Sequence, residues 1–396
     1  MSPVPAPTFT PLEVASGLIL GTLPEARAVP HARASARAAL ERAVLDAVAR
    51  PPCFVSFSGG RDSSAVLALA TRVARAEGLP LPIPATNVFP AVELTDEADW
   101  QERVVRHLGL DDWARLEHHD ELDVVGEFAE DVLSRHGLLW PFNAHFHAPL
   151  IRLASGGTLL TGIGGDELLQ ISDASRWGDI LSGRTRPERR DVLRLGFTVA
   201  PRAVKRRVKA RRLPLDFAWL RPEARRELAL EWADNAVRQP HGWQQLVRWV
   251  MRMRYVHVGT ASLDRIAADE GVAVRHPFLA RDFGEAIATL PKAERFRDRT
   301  TAMTRLFGDL LPAEVLERRT KASFDGAFWS EPSRSFARNW DGAGVDERVV
   351  DVAALRLEWA KDMPDPRTFL LAQSAWLRTR DRSADRREKT LDGVVE

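Results

Sequence analysis

Cysteine, lysine and long apolar runs are scarce in this sequence, and its positive and negative charges nearly balance. Cys53 is the single cysteine, so an intramolecular disulfide is excluded and a reduced, cytoplasmic setting is expected. No segment reaches the about 20 apolar residues that a membrane-spanning helix needs, and the amino terminus has no charged-then-apolar signal pattern. The formal net charge of +1 gives no overall attraction to nucleic acids or to a membrane.

The remaining composition is that of a globular protein. The 396 residues are 45% hydrophobic and 28% charged, and a chain of this length can bury a large core. Lysine and arginine together number 56, but only six of these residues are lysines. This scarcity narrows the choice of a catalytic lysine to a few positions.

Strand-like and helix-like segments alternate in the first half of the chain. Apolar runs predict strands at 53–57, 82–89, 113–119 and 157–163. Apolar residues at helical spacing predict helices at 34–50, 63–76, 93–109, 121–137 and 145–155. In the third of these helices, Thr95 is the predicted N-cap and Gly109 the predicted end. The alternation is typical of an α/β protein with a doubly wound parallel sheet, whose loops gather at the carboxyl ends of its strands.

The pattern changes after residue 176, where strand-like runs disappear and helical periodicity dominates. We therefore divide the chain into an N-terminal arm and helix (1–50), an α/β core (51–176) and a mainly helical part (177–396). A dense run of arginine and lysine occupies 184–212. Because this run is confined and contains few aromatic residues, it favours a solvated face or surface loop over a nucleic-acid interface.

The stretch SGGRDSS, residues 58–64, follows the first predicted strand and opens a helix. Glycines at such a turn let backbone N–H groups face an anion, and the helix amino terminus adds positive potential. The candidate phosphate-binding residues are Ser58, Gly59, Gly60, Ser63 and Ser64. Asp62 would repel phosphate unless a divalent cation lay between them, so the loop predicts a site for magnesium and a pyrophosphate group.

This loop resembles the SGGxDS loop of the ATP pyrophosphatase superfamily, whose members cleave ATP between its α- and β-phosphates. The superfamily includes asparagine synthetases, GMP and NAD synthetases, argininosuccinate synthetase and tRNA-thiolating enzymes. The resemblance implies the adenine nucleotide alpha hydrolase-like fold, with ATP at the carboxyl edge of the sheet and Val88 near the adenine. The loop alone does not distinguish among these enzymes.

Three further stretches resemble the asparagine synthetase family. LLTGIGGDELL (159–169) is similar to its strand and SGxGxDE loop, which implies Asp166 as a second magnesium ligand, Glu167 beside it and Gly162 at the nucleotide. GTASLDRIAADEGVAVRHPFLARDF (259–283) is similar to a helix and RVPFLD turn that frame the substrate pocket. LLPAEVLERRTKASFDGAFW (310–329) is similar to the LP…RxKxxF segment, which implies Lys321 at the α-phosphate and the transition state.

The sequence also departs from this family. A glutaminase domain, which releases ammonia in full asparagine synthetases, has no room before residue 58, so we expect none. The residue after Gly162 is glutamate in asparagine synthetases and tyrosine in β-lactam synthetases, but here it is Ile163, which can neither transfer a proton nor hydrogen-bond an amine. A varied residue at this position resembles the lasso-type macrolactam cyclases. His145 and His147 are candidate replacement bases.

The resemblance implies an ATP-dependent, AMP-forming ligase that joins an activated carboxylate to ammonia or an amine, with ATP and Mg²⁺ as cofactors. The expected partners are a small-molecule or peptide carboxylate and an amine donor, with a separate precursor or amine-supplying protein as a candidate. A membrane partner is not expected, and nucleic acid is disfavoured. Three alternatives stay open: a macrolactam peptide cyclase, a tRNA-modifying pyrophosphatase and an inactive scaffold homologue.

Overall fold

A computed structural model of the chain describes residues 7–24, 34–170, 186, 200–211, 216–320 and 322–392, with side chains as far as residue 380. Within these residues, five parallel strands form one sheet in the order β3–β2–β1–β4–β5. The strands are β1 (Cys53–Ser56), β2 (Ile83–Val88), β3 (Ala114–Glu117), β4 (Thr158–Leu160) and β5 (Ala273–Arg275). The prediction of an α/β fold with a parallel sheet is confirmed.

Helices surround the sheet. Those that precede the basic run are α1 (Pro11–Ser16), α2 (Ala36–Val48), α3 (Arg61–Glu77), α4 (Ala98–Leu108), α5 (Glu127–His136), α6 (Ala148–Leu153) and α7 (Gly165–Leu169). The next are α8 (Arg202–Ala210), α9 (Pro222–Arg238), α10 (Trp243–Val250), α11 (Arg254–Asp269), α12 (Arg281–Ala288) and α13 (Arg299–Phe307). The last are α14 (Ala313–Leu316), α15 (Asp325–Phe328), α16 (Glu331–Asn339), α17 (Val352–Trp359) and α18 (Phe369–Asp392). No helix among the described residues has the length and apolarity that crossing a membrane requires.

The central strands are buried on both faces. Val55 and Leu160 face a cluster that includes α2, α3, α10 and α12, and both are fully buried. Phe54 and Leu159 alternate to the opposite face, where they meet residues of α6 and α11. Because side chains alternate along a strand, apolar runs of this kind are typical of parallel sheets covered by helices on both sides.

The strand order reverses direction at β1, which pairs with β2 on one side and β4 on the other. Phe54 is opposite Ile83 of β2 and Leu159 of β4. The loops that follow β1 and β4 therefore leave adjacent strands at the same edge of the sheet. In open α/β sheets, this switch point is where ligands bind.

Two expectations about secondary structure are wrong. Strands do not disappear after residue 176, because β5 (Ala273–Arg275) pairs with β4. A strand of three residues beside a proline turn is too short to show the alternation of apolar and polar residues from which a strand is predicted. The helix predicted at 93–109 begins only at Ala98, and Thr95 does not cap it, since its hydroxyl donates to Val92 O (2.7 Å). Its end at Gly109 is confirmed.

Two of the sequence predictions fall partly or wholly outside the described residues. Of the basic run, residue 186 and the stretch 200–211 are described, and α8 in that stretch has no buried residue. It lies against α9, where Lys209 Nζ donates to Ala236 O (3.1 Å). Lys321 lies outside the described residues.

Candidate functional site

The first loop of the site connects β1 to α3. Gly59 adopts φ +78°, and a Cβ there would lie 2.8 Å from Gln101 Cγ, so both the backbone conformation and the available space require glycine. Gly60 is the N-cap of α3 and supplies no side-chain cap. The positive end of a 17-residue helix is therefore directed at the loop, which suits an anion.

Serine hydroxyls hold this loop in shape. Ser63 Oγ accepts from Ser58 N (3.2 Å) and donates to Gly60 O (3.1 Å). Ser58 Oγ accepts from Gly60 N (3.3 Å). Ser64 is fully buried at the start of α3. Ser58, Gly60 and Ser63 line a cavity of about 390 Å³, whereas the Ser64 side chain lies below its surface.

The second loop follows β4 and packs directly on the first. A Cβ at Gly162 would lie 2.9 Å from Ser63 N, and a Cβ at Gly165 would lie 2.6 Å from Asp62 Oδ1. Only glycines allow the two backbones to approach so closely. Asp166 follows in α7, so the loops bring both predicted acidic residues to one place although 104 positions separate them in the sequence.

Arg299, the first residue of α13, joins the two acidic residues. Its Nη2 donates to Asp62 Oδ2 (2.7 Å), and its Nη1 forms an ion pair with Asp166 Oδ1. Asp62 Oδ1 is buried and has no hydrogen-bond partner among the described residues. Burial raises the pKa of Asp62 to about 6, against the opposing effect of the Arg299 guanidinium.

The donor set of this site fits magnesium. Mg²⁺ is usually held by one or two carboxylates together with phosphate and water oxygens. Asp62 and Asp166 already share the guanidinium of Arg299. Asp62 Oδ1, which has no hydrogen-bond partner among the described residues, is a buried acceptor that a metal ion would satisfy. No group of three His, Cys, Asp or Glu side chains that could hold a metal occurs within the described residues. Phosphate and water oxygens would therefore complete the ligand set.

The cavity above these loops is rich in charge. Its arginines are Arg61, Arg299, Arg318 and Arg319, and its carboxylates are Asp62, Glu97 and Asp166. Arg61 donates to Thr300 Oγ1 (3.3 Å) and Leu316 O (3.4 Å). Both acceptors are uncharged, so these two contacts leave the positive charge of Arg61 in place. Because four guanidinium groups outnumber three carboxylates at a helix amino terminus, the lining favours a negatively charged ligand.

Arg318 supports the first loop through a hydrogen bond to its backbone. Its Nη1 donates to Gly59 O (3.1 Å) and Glu97 Oε2 (2.5 Å), and its Nη2 pairs with Glu97 Oε1. The guanidinium lies over the Trp100 ring, 4.7 Å from its centroid. The next residue, Arg319, is exposed at the cavity, so Arg318 is the buried arginine of the two and the one that holds the loop.

The cavity is also lined by apolar side chains. Ile163 lines it together with Phe146 and Phe324, whose ring centroids are 5.9 Å apart. His147 also lines the cavity, and burial lowers its pKa to about 4, so its imidazole is neutral at pH 7. The candidate His145 is fully buried, bonded to Leu122 O (2.9 Å) and outside the cavity lining.

Several other predicted residues lie outside the lining of this cavity. Glu167 accepts from the Tyr255 hydroxyl (3.3 Å), and Val88 is half-buried at the end of β2. Of the RHPFL stretch, Phe278 is fully buried, and His276 Nδ1 is 2.6 Å from Thr161 Oγ1 of the second loop. The stretch otherwise lines a second cavity of about 420 Å³. The roles assigned to these residues stay predictions.

A parallel sheet with a glycine–serine loop and an acidic loop at its switch point defines a nucleotide-binding α/β protein. The family model described as asparagine synthase matches residues 35–378, and the chain belongs to this family. Membership indicates an ATP-dependent ligase that forms carbon–nitrogen bonds. A comparison with curated proteins finds no match to this chain.

Proposed function

We propose that the protein uses ATP to convert a substrate carboxylate into an acyl-adenylate and then transfers the acyl group to an amine. The observation that supports this most is the convergence of the two loops, in which Gly162 and Gly165 pack on Ser63 and Asp62. A helix amino terminus, three carboxylates and four arginines then surround one cavity. That combination suits a triphosphate bound with a divalent ion.

The first step places negative charge on the phosphates. A carboxylate oxygen of the substrate attacks the α-phosphorus, the bond from that phosphorus to the oxygen bridging to the β-phosphate breaks, and pyrophosphate leaves. Ser58, Gly60 and Ser63 would hold the leaving pyrophosphate, and Asp62 with Asp166 would hold Mg²⁺, which supplies charge neutralisation at the phosphate oxygens. Lys321 would stabilise the charge that develops at the α-phosphate.

The second step needs an amine without a positive charge. The amine nitrogen attacks the acyl carbon, AMP leaves and the nitrogen gives up one proton. Ile163 cannot accept this proton, but His147 lines the same cavity and its imidazole is neutral at pH 7. His147 is therefore our candidate acceptor, in preference to His145, which the cavity does not reach.

A macrolactam peptide cyclase is the second candidate function. The observation that favours it is the apolar part of the cavity lining, formed by Ile163, Phe146 and Phe324, which suits a bulkier or less polar acyl group. An amine on the same peptide is delivered by positioning, which reduces the need for acid–base chemistry. The expected product is a ring that has lost one water relative to the linear peptide.

Pyrophosphate exchange tests the first step. The protein is incubated with Mg²⁺, ATP, labelled pyrophosphate and pools of amino acids and peptides, and the label that enters ATP is measured. We expect exchange with at least one pool, at least 100-fold reduced in Lys321→Ala because a fixed cation at the transition state is lost. Lys292→Ala, at an exposed lysine in the 3₁₀ turn Lys292–Glu294, is the matched control and should keep full exchange. Absence of exchange with every pool would count against adenylation, and mass spectrometry of peptide products separates cyclisation from intermolecular amide formation.

A further inference from the structure

Arg299 occupies the position where the proposed function requires a metal ion. Its two terminal nitrogens reach different carboxylates, Asp62 and Asp166, which come from different loops. Its side chain is 19% exposed and that of Asp166 is 46% exposed, so the pair is open to the cavity. A guanidinium and a divalent ion would compete for the same carboxylate oxygens.

The position of Arg299 in the fold allows a change of partner. It is the first residue of α13, and Asp298 caps that helix by accepting from Thr301 N (2.7 Å). The backbone is therefore held by the cap while the long side chain extends into the cavity. A guanidinium presents a planar fork of donors that matches carboxylate and phosphate equally well.

The other arginines around the two carboxylates have hydrogen-bond partners that differ from those of Arg299. Arg61 donates to Thr300 Oγ1 and Leu316 O, and Arg318 is engaged by Glu97. Arg319 is exposed at the cavity. Among these arginines, Arg299 forms ion pairs with both acidic residues. Arg299 is thus the residue whose removal changes the charge balance of the metal site most directly.

We propose that Arg299 reserves the site for magnesium and nucleotide together. In the nucleotide-free protein it pairs with both Asp62 and Asp166 and offsets part of their negative charge, and so disfavours a metal ion alone. With Mg²⁺ and ATP bound, Asp62 and Asp166 would hold the ion, and the Arg299 guanidinium would be released to donate to phosphate oxygens. This inference rests on the proposed function, since it assumes that ATP and Mg²⁺ share this cavity.

Two binding measurements with opposite expected signs test the inference. Mn²⁺ binding to the nucleotide-free protein is followed by electron paramagnetic resonance, and binding of α,β-methylene-ATP in excess Mg²⁺ is followed by calorimetry. In Arg299→Gln we expect Mn²⁺ alone to bind about tenfold more tightly, because the competing guanidinium is gone. We expect the nucleotide to bind about tenfold more weakly, because a donor to its phosphates is lost. Each tenfold change in affinity corresponds to about 1.4 kcal/mol. Arg305→Gln is the matched control, an exposed arginine of the same helix bonded to Glu294 O, and should change neither.

The outcomes separate this inference from the proposed function. If the unmodified protein does not bind the Mg²⁺–nucleotide complex, both fail. If it binds the complex but Arg299→Gln leaves Mn²⁺ affinity unchanged or lowers it, Arg299 is a structural ion pair and only this inference fails. Thermal unfolding establishes whether Arg299→Gln is folded. If it is not, Arg299→Lys takes its place: one ammonium cannot bridge both carboxylates as the fork does, so both affinities should shift in the same two directions by a smaller factor.

Discussion

The buried pair of Glu97 and Arg318 provides a sharp test of how the first loop of the site is held. Their side chains are 6% and 4% exposed, and Arg318 also donates to Gly59 O and to Thr320 Oγ1 (2.9 Å). Replacing Arg318 by Met keeps much of the side-chain volume over Trp100 but removes every one of these donors. The Glu97 carboxylate would then be buried without its cation.

The structure offers an exposed pair for comparison. Arg103 and Glu314 are also joined by an ion pair (2.6 Å), but their side chains are 48% and 53% exposed. Removing one partner of a buried ion pair typically costs about 3–5 kcal/mol, whereas an exposed pair contributes about 0–1 kcal/mol. We therefore expect Arg318→Met to lower the free energy of unfolding by about 3–5 kcal/mol and Arg103→Met by less than about 1 kcal/mol.

Urea unfolding at pH 7 measures both values, provided the slopes with denaturant agree among the variants. The double variant Glu97→Gln, Arg318→Met should recover part of the loss, because it no longer buries a carboxylate without a partner. Nucleotide affinity should fall in Arg318→Met as Gly59 O loses its donor. Equal costs for Arg318→Met and Arg103→Met would refute the reasoning, since burial would then make no difference to the pair.

Two other predictions concern close packing at the metal site and acid stability. Gly165→Ala should weaken Mg²⁺–nucleotide binding at least tenfold, because the new Cβ would lie 2.6 Å from Asp62 Oδ1 and displace that carboxylate. Gly259→Ala is the control: its Cβ would meet nothing closer than 3.5 Å, so it should have no effect in the same calorimetric titration. Burial lowers the pKa of His145 to about 4, against an ordinary value of 6.5. The unfolded chain therefore takes up a proton there as the pH falls below about 6.5, whereas the folded chain does so only near pH 4, so stability is lost across that window. Urea unfolding at pH 7 and pH 5 should give a loss that is about 2 kcal/mol smaller in His145→Gln than in the unmodified protein; an identical loss in both would show that this histidine does not cause it.

Local pattern predicted the parts of the site that depend on neighbouring residues. SGGRDSS after an apolar run is a strand, a turn and a helix amino terminus in seven or so consecutive residues, and each part has its own chemical signature. The same holds for the acidic loop at Gly162–Asp166 and for the central strands. Helix starts were harder to predict. Thr95 has the chemistry of an N-cap, yet its hydroxyl bonds to Val92 O instead, because the chain makes a short 3₁₀ turn before the helix begins.

The sequence by itself determined the class of this protein, since the loops that identify it are contiguous and their glycines, serines and aspartates act through adjacent backbone groups. Tertiary structure alone decided which cations serve those loops. Arg299 bonds to Asp62 across 237 positions and Arg318 to Glu97 across 221, and nothing in the residues around either arginine distinguishes it from the many others in the chain. An arginine is a surface charge or part of a site according to what the fold brings within about 3 Å of it, and that is a property of the packed chain.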